Sequence, residues 1–281
     1  MCRFVMYFGE ALTLDRLTTE PTHSLIHQSY KARERREPLN GDGFGIAWYA
    51  HDISPEPAVF RSTTPAWSNT NLRQLARVTT SGCVFAHVRA ASPLMAVTEL
   101  NCHPFVHGRV MLMHNGYVPS FSKVRRQIIN GLSDEAFGSV RGTTDSEHLL
   151  AMLIDRLDGD DSIDNIATAL SRTLSDVAQL TRAAGIEPSP RLNVAVSNGE
   201  GAVVSRVCED GAACCDSLYV HEGKKYVCEL GSCRMVEPTE GHGAVIVASE
   251  PLSDDPGWDM VPANHLVVVR ADRSVSFVAY A

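Results

Sequence analysis

The chain opens Met1-Cys2-Arg3-Phe4-Val5-Met6-Tyr7-Phe8, and the rest is read outward from this stretch. Apart from Arg3, residues 2–8 are apolar without the alternation of a half-solvated strand. They predict a short strand buried on both faces, ending at a Gly9-Glu10 turn. The run is too short for the apolar core of a secretion signal, and no other run approaches the ~18 apolar residues of a membrane span. A soluble, cytoplasmic protein is expected.

Its second residue is a cysteine. Removal of Met1, expected ahead of so small a side chain, leaves Cys2 with a free α-amine of pKa about 7.7–8.0. Part of that amine is unprotonated at neutral pH. It can take the thiol proton directly or through a water, as N-terminal threonine nucleophiles do. An acylated nitrogen is not basic, so this chemistry requires the cysteine at the terminus.

Downstream, Asn40-Gly-Asp-Gly is a turn cluster leading into a strand from Phe44, with Val59–Ser62 as its hairpin partner. A short helix is predicted at Leu72–Thr80. Two further apolar runs, Cys83–Val88 and Arg109–His114, predict buried strands. Helical spacing follows at 122–132, from Thr144, and at Ile166–Ala184. Thr144-Asp-Ser-Glu147 is a helix-start signature. Beyond Pro188 come six β runs, at Asn193–Ser197, Ala202–Arg206, Ser217–Val220, Ala244–Ser249, His265–Val269 and Val275–Val278. Strands, then helices, then strands predict an α+β protein rather than a βαβ alternation. No Pro-, Gly- or Ser-rich linker divides the chain, so a single domain over 2–281 is expected.

Composition narrows the functional classes. Among 281 residues, 25 are Lys or Arg and 33 are Asp or Glu, a formal charge of −8. Such a balance gives no positive field for a phosphate backbone, so a nucleic-acid partner is not expected. Hydrophobic residues at 44% and charged residues at 21% are those of an ordinary globular protein. The eight cysteines are expected to be reduced in a chain of this length without a secretion signal. Five of them lie between Cys208 and Cys233, without a C-x-x-C pair, and are expected to be free thiols, with no metal site. Cys83 and Cys102, in or beside apolar strands, read as packing residues, and structural roles are expected for His87, His103 and His114.

Three further segments suit amide chemistry. Arg89, at the end of a predicted strand, offers a planar fork for a carboxylate. Asn115 and Gly116, at the end of another, can converge N–H groups on an oxyanion. Asp145, at a helix start, can meet an ammonium. Taken singly, these are equally a surface arginine, an Asn-Gly turn and a helix cap.

Their order with Cys2 is specific. Cys2, Asn40-Gly-Asp-Gly-Phe-Gly, Phe85-Ala-His-Val-Arg-Ala, His114-Asn-Gly and Gly142-Thr-Thr-Asp-Ser-Glu together resemble the class II glutamine amidotransferases of the N-terminal nucleophile hydrolase superfamily, with the core motifs in 2–155. The resemblance implies a four-layer αββα sandwich, with no cofactor. It implies Cys2 as nucleophile, its α-amine as base, Asn115 and Gly116 as oxyanion hole, Arg89 on the substrate α-carboxylate and Asp145 on its α-ammonium. The implied reaction cleaves a γ-glutamyl amide through a Cys2 thioester, releasing glutamate.

Biosynthetic members carry a Trp after the clamp Arg, whereas this chain has Arg89-Ala-Ala-Ser-Pro, which points away from free glutamine. Pro21-Thr-His-Ser-Leu-Ile-His-Gln-Ser, Thr64-Pro-Ala-Trp-Ser-Asn and Val247-Ala-Ser-Glu-Pro-Leu are similar to stand-alone members, notably the amidotransferase-like subunit of the fungal glutathione-degrading complex. Glutathione or a related γ-glutamyl conjugate is the substrate this implies, handled alone or with a peptidase-like partner. The alternatives are a glutaminase subunit feeding ammonia to a synthase, and a silent regulatory subunit.

Overall fold

The computed structural model describes residues 2–34, 38–92, 95–229, 232–237 and 243–280. In chain order its elements are β1 (Arg3–Thr13), α1 (Asp15–Thr18), α2 (Leu25–Lys31), β2 (Phe44–Trp48), β3 (Ala58–Ser62), α3 (Thr70–Val78) and β4 (Thr80–Val88). Then come β5 (Phe105–His107), β6 (Val110–Tyr117), α4 (Phe121–Asn130), α5 (Asp134–Ser139), α6 (Asp145–Leu157) and α7 (Ile163–Ala183). The last part holds β7 (Arg191–Ser197), β8 (Ala202–Arg206), β9 (Tyr219–Gly223), β10 (Lys225–Glu229), β11 (Ser232–Val236), β12 (Ala244–Ala248), β13 (Asp259–Met260), β14 (His265–Val269) and β15 (Val275–Ala279).

Two antiparallel sheets result, a seven-stranded one in the order β13-β9-β12-β1-β4-β2-β3 and a six-stranded one in the order β15-β14-β8-β7-β6-β5. Alternation along each strand divides the core three ways. Phe4, Met6 and Phe8 of β1, Phe85 of β4, and Met111 and Met113 of β6 pack between the sheets. Val5 and Tyr7 instead face the layer containing Leu17, Leu25 and Leu72, from α1, α2 and α3. Leu112 and Val194 face Val124, Leu153 and Leu170 of α4, α6 and α7. The layers therefore stack helix–sheet–sheet–helix, the αββα sandwich that the resemblance implied.

Most predicted elements lie where the periodicity put them, with differences that have local causes. β1 does not stop at Gly9-Glu10; its pairing with β4 shifts register between Phe8 and Leu12, and the bulge absorbs the turn residues. The β10–β11 hairpin, not among the six predicted β runs, adds Tyr226 and Met235 to the outer core. The expectation of free thiols is corrected here. Disulfides join Cys208 to Cys215 and Cys228 to Cys233, leaving Cys214 the free thiol of the five. Local geometry decides the pairing, because the hairpin register sets Cys228 directly opposite Cys233.

Phe85 is fully buried between the sheets. Phe85→Ala is expected to cost ~3–5 kcal/mol, read as a lower midpoint in chemical denaturation.

Candidate active site

The pleat that builds the inter-sheet core also delivers the site. Cys2 precedes β1 on the parity of Phe4 and Met6. Arg89 follows β4 on the parity of Phe85, and Asn115 lies in β6 on the parity of Met113. All three come from inner-facing positions at strand ends; Cys2 lines a cavity of about 870 Å3, and Arg89 and Asn115 each precede a residue of its wall. Cys2, Ala90, Ala91, Gly116 and Asp145 line it.

Cys2 is buried, and its Sγ lies 3.4 Å from the Ala90 amide nitrogen, which donates to it. The same Sγ donates to the Ala90 carbonyl at 3.6 Å, so both polar groups of that residue meet the thiol. The Ala90 segment is held by the Gly-rich loop: Asp42 N–H donates to the Arg89 carbonyl (3.0 Å), and Arg89 N–H donates to the Gly43 carbonyl (2.8 Å). Ala91 N–H donates to Asp42 Oδ2 (2.8 Å). Gly43 has φ +105°, and a Cβ there would sit 2.8 Å from the Ser62 carbonyl oxygen, so the loop requires glycine. Arg89 itself is buried, and one of its N–H groups donates to the Ala96 carbonyl at 3.3 Å. Among the described residues no carboxylate pairs with it.

Asn115 is fully buried, and its side-chain amide donates to Ser249 Oγ at 3.1 Å, leaving a second N–H on that nitrogen. Gly116 follows where β7 comes closest; a Cβ there would lie 1.9 Å from the Arg191 carbonyl oxygen. Asp145 opens α6, whose cap is Thr144. Its Oδ2 accepts from Val118 N–H and its Oδ1 from Ser146 N–H, both at 2.8 Å. A carboxylate has about four lone-pair positions, so capacity for a further donor remains. Glu147 accepts from the amides of Arg141 and Gly142, fixing the loop ahead of Asp145. The structure thus brings Cys2, Gly116 and Asp145 to one cavity, with Arg89 and Asn115 each one residue from its wall.

The histidines of this region are structural. His87 bonds the His114 carbonyl at 3.2 Å and stacks on His103 at 4.1 Å. Burial pushes His87 down to about 3 and His103 well below its ordinary value, so both are neutral. Cys83 is likewise inert, its thiol pushed up to about 12 by burial.

Sequence reasoning did not assign the support beneath Cys2. Arg3 donates from Nη1 to the Cys2 carbonyl (2.9 Å) and from Nε to Glu250 Oε1 (2.5 Å). Glu250 Oε2 meets His23 Nε2 at 2.6 Å, and the carboxylate also accepts from the Arg33 and Glu34 amides. Burial would raise the Glu250 carboxyl, but His23, Arg3 and the two amides outweigh it and hold it at about 2. Next to it, Ser249 Oγ accepts from Phe4 N–H as well as from Asn115. The Ser249-Glu250 pair is visible in the sequence, but no spacing rule links it to residues 3 and 115.

Residues 15–279 match the family described as glutamine amidotransferases class-II. The chain belongs to that family, and with it to the cysteine amidohydrolases. Cys2 lies ahead of the matched stretch and stands on the geometry above. The chain is 37% identical to "Probable glutamine amidotransferase DUG3" of Saccharomyces cerevisiae, over 96% of this chain and 82% of that protein. It is 29% identical to the gamma-glutamyl-hercynylcysteine sulfoxide hydrolase of Mycolicibacterium smegmatis, over 96% of each. A class-II glutamine amidotransferase domain protein from Silicibacter pomeroyi superposes over the full length of both chains, with a TM-score of 0.69 and 26% identity. The phosphoribosylpyrophosphate amidotransferase of B. subtilis shares the fold alone, with a TM-score of 0.62 at 14% identity over 49% of that chain. No helix among the described residues is long and apolar enough to cross a membrane.

Folding lowers the Glu250 carboxyl from the ordinary 4.5 to about 2. Its contribution to stability is therefore complete above pH 4.5 and is lost as the pH falls through about 2. Glu250→Gln is expected to cost ~3–5 kcal/mol at neutral pH, because it leaves Arg3 buried without its partner. The variant's denaturation midpoint should also depend less on pH across that window.

Proposed function

We propose that the chain hydrolyses γ-glutamyl amides carrying a peptide or amino-acid leaving group, glutathione being one such compound, through a thioester on Cys2. The observation that carries this reading is the cavity that Cys2 and Asp145 line together, walled by the Ala90–Ala91 segment that follows Arg89. Its volume of about 870 Å3 lies in the upper part of the ~300–1,000 Å3 range of small-molecule sites. That leaves room beyond the glutamyl moiety.

In this reading the α-amine of processed Cys2 takes the Sγ proton, and the thiolate attacks the γ-carbonyl carbon. The tetrahedral oxygen receives the second N–H of Asn115 and the N–H of Gly116. Collapse expels the leaving amine, which takes the proton back from the α-ammonium. Water, with the same amine as base, then opens the thioester to glutamate and free Cys2. Arg89 meets the α-carboxylate and Asp145 the α-ammonium, so both charged groups of the glutamyl half have an opposite charge to meet. Two relatives bear the name of hydrolases of a γ-glutamyl compound, and the small Ala90-Ala91 pair after Arg89 leaves the leaving-group side open.

Cys2→Ser is expected to abolish glutamate release while leaving the thermal midpoint unchanged, and residues fused ahead of Cys2 should do the same by acylating the amine. Peptide mass mapping after treatment with the diazoketone analogue of glutamine should place the label on Cys2. Labelling elsewhere, or full activity in the extended protein, would overturn the mechanism.

For Asp145→Ala, the expectation is a KM raised by the equivalent of ~2–4 kcal/mol with a smaller effect on kcat, because a buried ammonium loses its partner. Steady-state glutamate release measures both.

A further inference from the structure

The glutamyl half leaves one charged group in the cavity wall without a task. Three charged side chains line the cavity: Asp42, Asp145 and Arg125. Asp42 is occupied by the Ala91 amide, and Asp145 is assigned to the substrate ammonium. Arg125 projects from α4, and among the described residues no carboxylate pairs with it. Its Nε donates instead to His148 Nε2 at 3.2 Å. His148 is fully buried, its Nδ1 lies 2.7 Å from the Thr144 carbonyl, and the Phe121 ring meets it edge-on at 5.0 Å.

That arrangement orients a guanidinium without neutralising it. With Nδ1–H donating to Thr144, Nε2 presents a lone pair, which accepts from Arg125. Burial, the main cause, keeps the His148 imidazole below its ordinary value and hence neutral. The remaining N–H groups of Arg125 stay available for a planar anion. Asp145 and His148 are three residues apart on α6, one turn of helix, so the first turn of α6 fixes both the ammonium site and the guanidinium.

We propose that Arg125 is a specificity residue that binds a carboxylate on the leaving group, so that the preferred substrates are γ-glutamyl peptides or amino acids with a free carboxylate beyond the scissile amide. The inference rests on the γ-glutamyl hydrolase reading and names its leaving-group chemistry. Such a substrate has one ammonium and two carboxylates, matching Asp145, Arg89 and Arg125 in turn. Glutamine, which releases ammonia, has nothing for Arg125 to hold.

The test compares kcat/KM for γ-glutamyl-cysteinyl-glycine and for γ-glutamyl-alanine with that for the C-terminal carboxamide of each. In the unmodified protein the acid should be preferred over the amide about 10- to 100-fold in at least one pair, carried mostly by KM. Arg125→Gln should reduce that ratio to within about twofold, and Arg125→Lys should retain part of it. Because the ratio is taken within one protein, a general loss of folded enzyme does not alter it. Absence of a preference in both pairs, or a preference that survives Arg125→Gln, would overturn the inference while leaving the hydrolase reading intact. Glutamate release from glutamine alone, or from none of these compounds, would overturn both.

Discussion

The site depends on a buried charge pair. In the proposed reaction Cys2 and its amine form a free chain end once Met1 is removed, and a chain end frays unless something holds it. Here Arg3, one residue on, turns its side chain to the outer face of the seven-stranded sheet and pairs with Glu250. The same guanidinium bonds the Cys2 carbonyl, so the backbone of the proposed nucleophile is held by the pair. Glu250 in turn bonds His23 and the amides of residues 33 and 34, which satisfies its lone pairs. A buried pair repays its desolvation only when so fully bonded. The return here is a fixed position for a reactive terminus.

The two sides of the sheet divide the work. Inner-facing positions at the strand ends carry Cys2, Arg89 and Asn115, while the outer face carries the clamp. Ser249 joins them, accepting from both Phe4 N–H and Asn115, so the nucleophile strand and the neighbouring β6 are referenced to one hydroxyl. Neutral His87 and His103 stack on each other close by, and His87 bonds the His114 carbonyl, without adding charge.

Much of this was legible in the sequence. The apolar strands and the αββα layers implied by motif order occupy the places expected of them, and Cys2, Gly116 and Asp145 share one cavity. What escaped has a common cause. Arg3–Glu250, Asn115–Ser249 and Arg125–His148 are pairings between side chains that no local periodicity connects; the first spans 247 positions. The cysteines show the converse. Cys228 and Cys233 flank a short turn, and hairpin register rather than compartment statistics pairs them. The acidic helix start at 144–147 reads as a cap, and it is one, for Thr144 accepts from Glu147 N–H. What the spacing does not show is that Asp145 Oδ2 also takes the Val118 amide just beyond β6.

Strand order has a consequence for how the molecule is made. β1 lies inside the seven-stranded sheet with β4 on one side and β12 on the other. As the chain leaves the ribosome, β4 arrives early, but the β12 edge stays open until residues 244–248 are synthesised. Until then β1, the strand that follows Cys2, presents a row of unpaired amides and carbonyls, a template for pairing with a neighbouring chain. Glu250 follows directly after β12. Closing the sheet edge and clamping Arg3 are therefore one late event, and a nascent chain that stops short of β12 has neither a protected edge nor the Glu250 clamp.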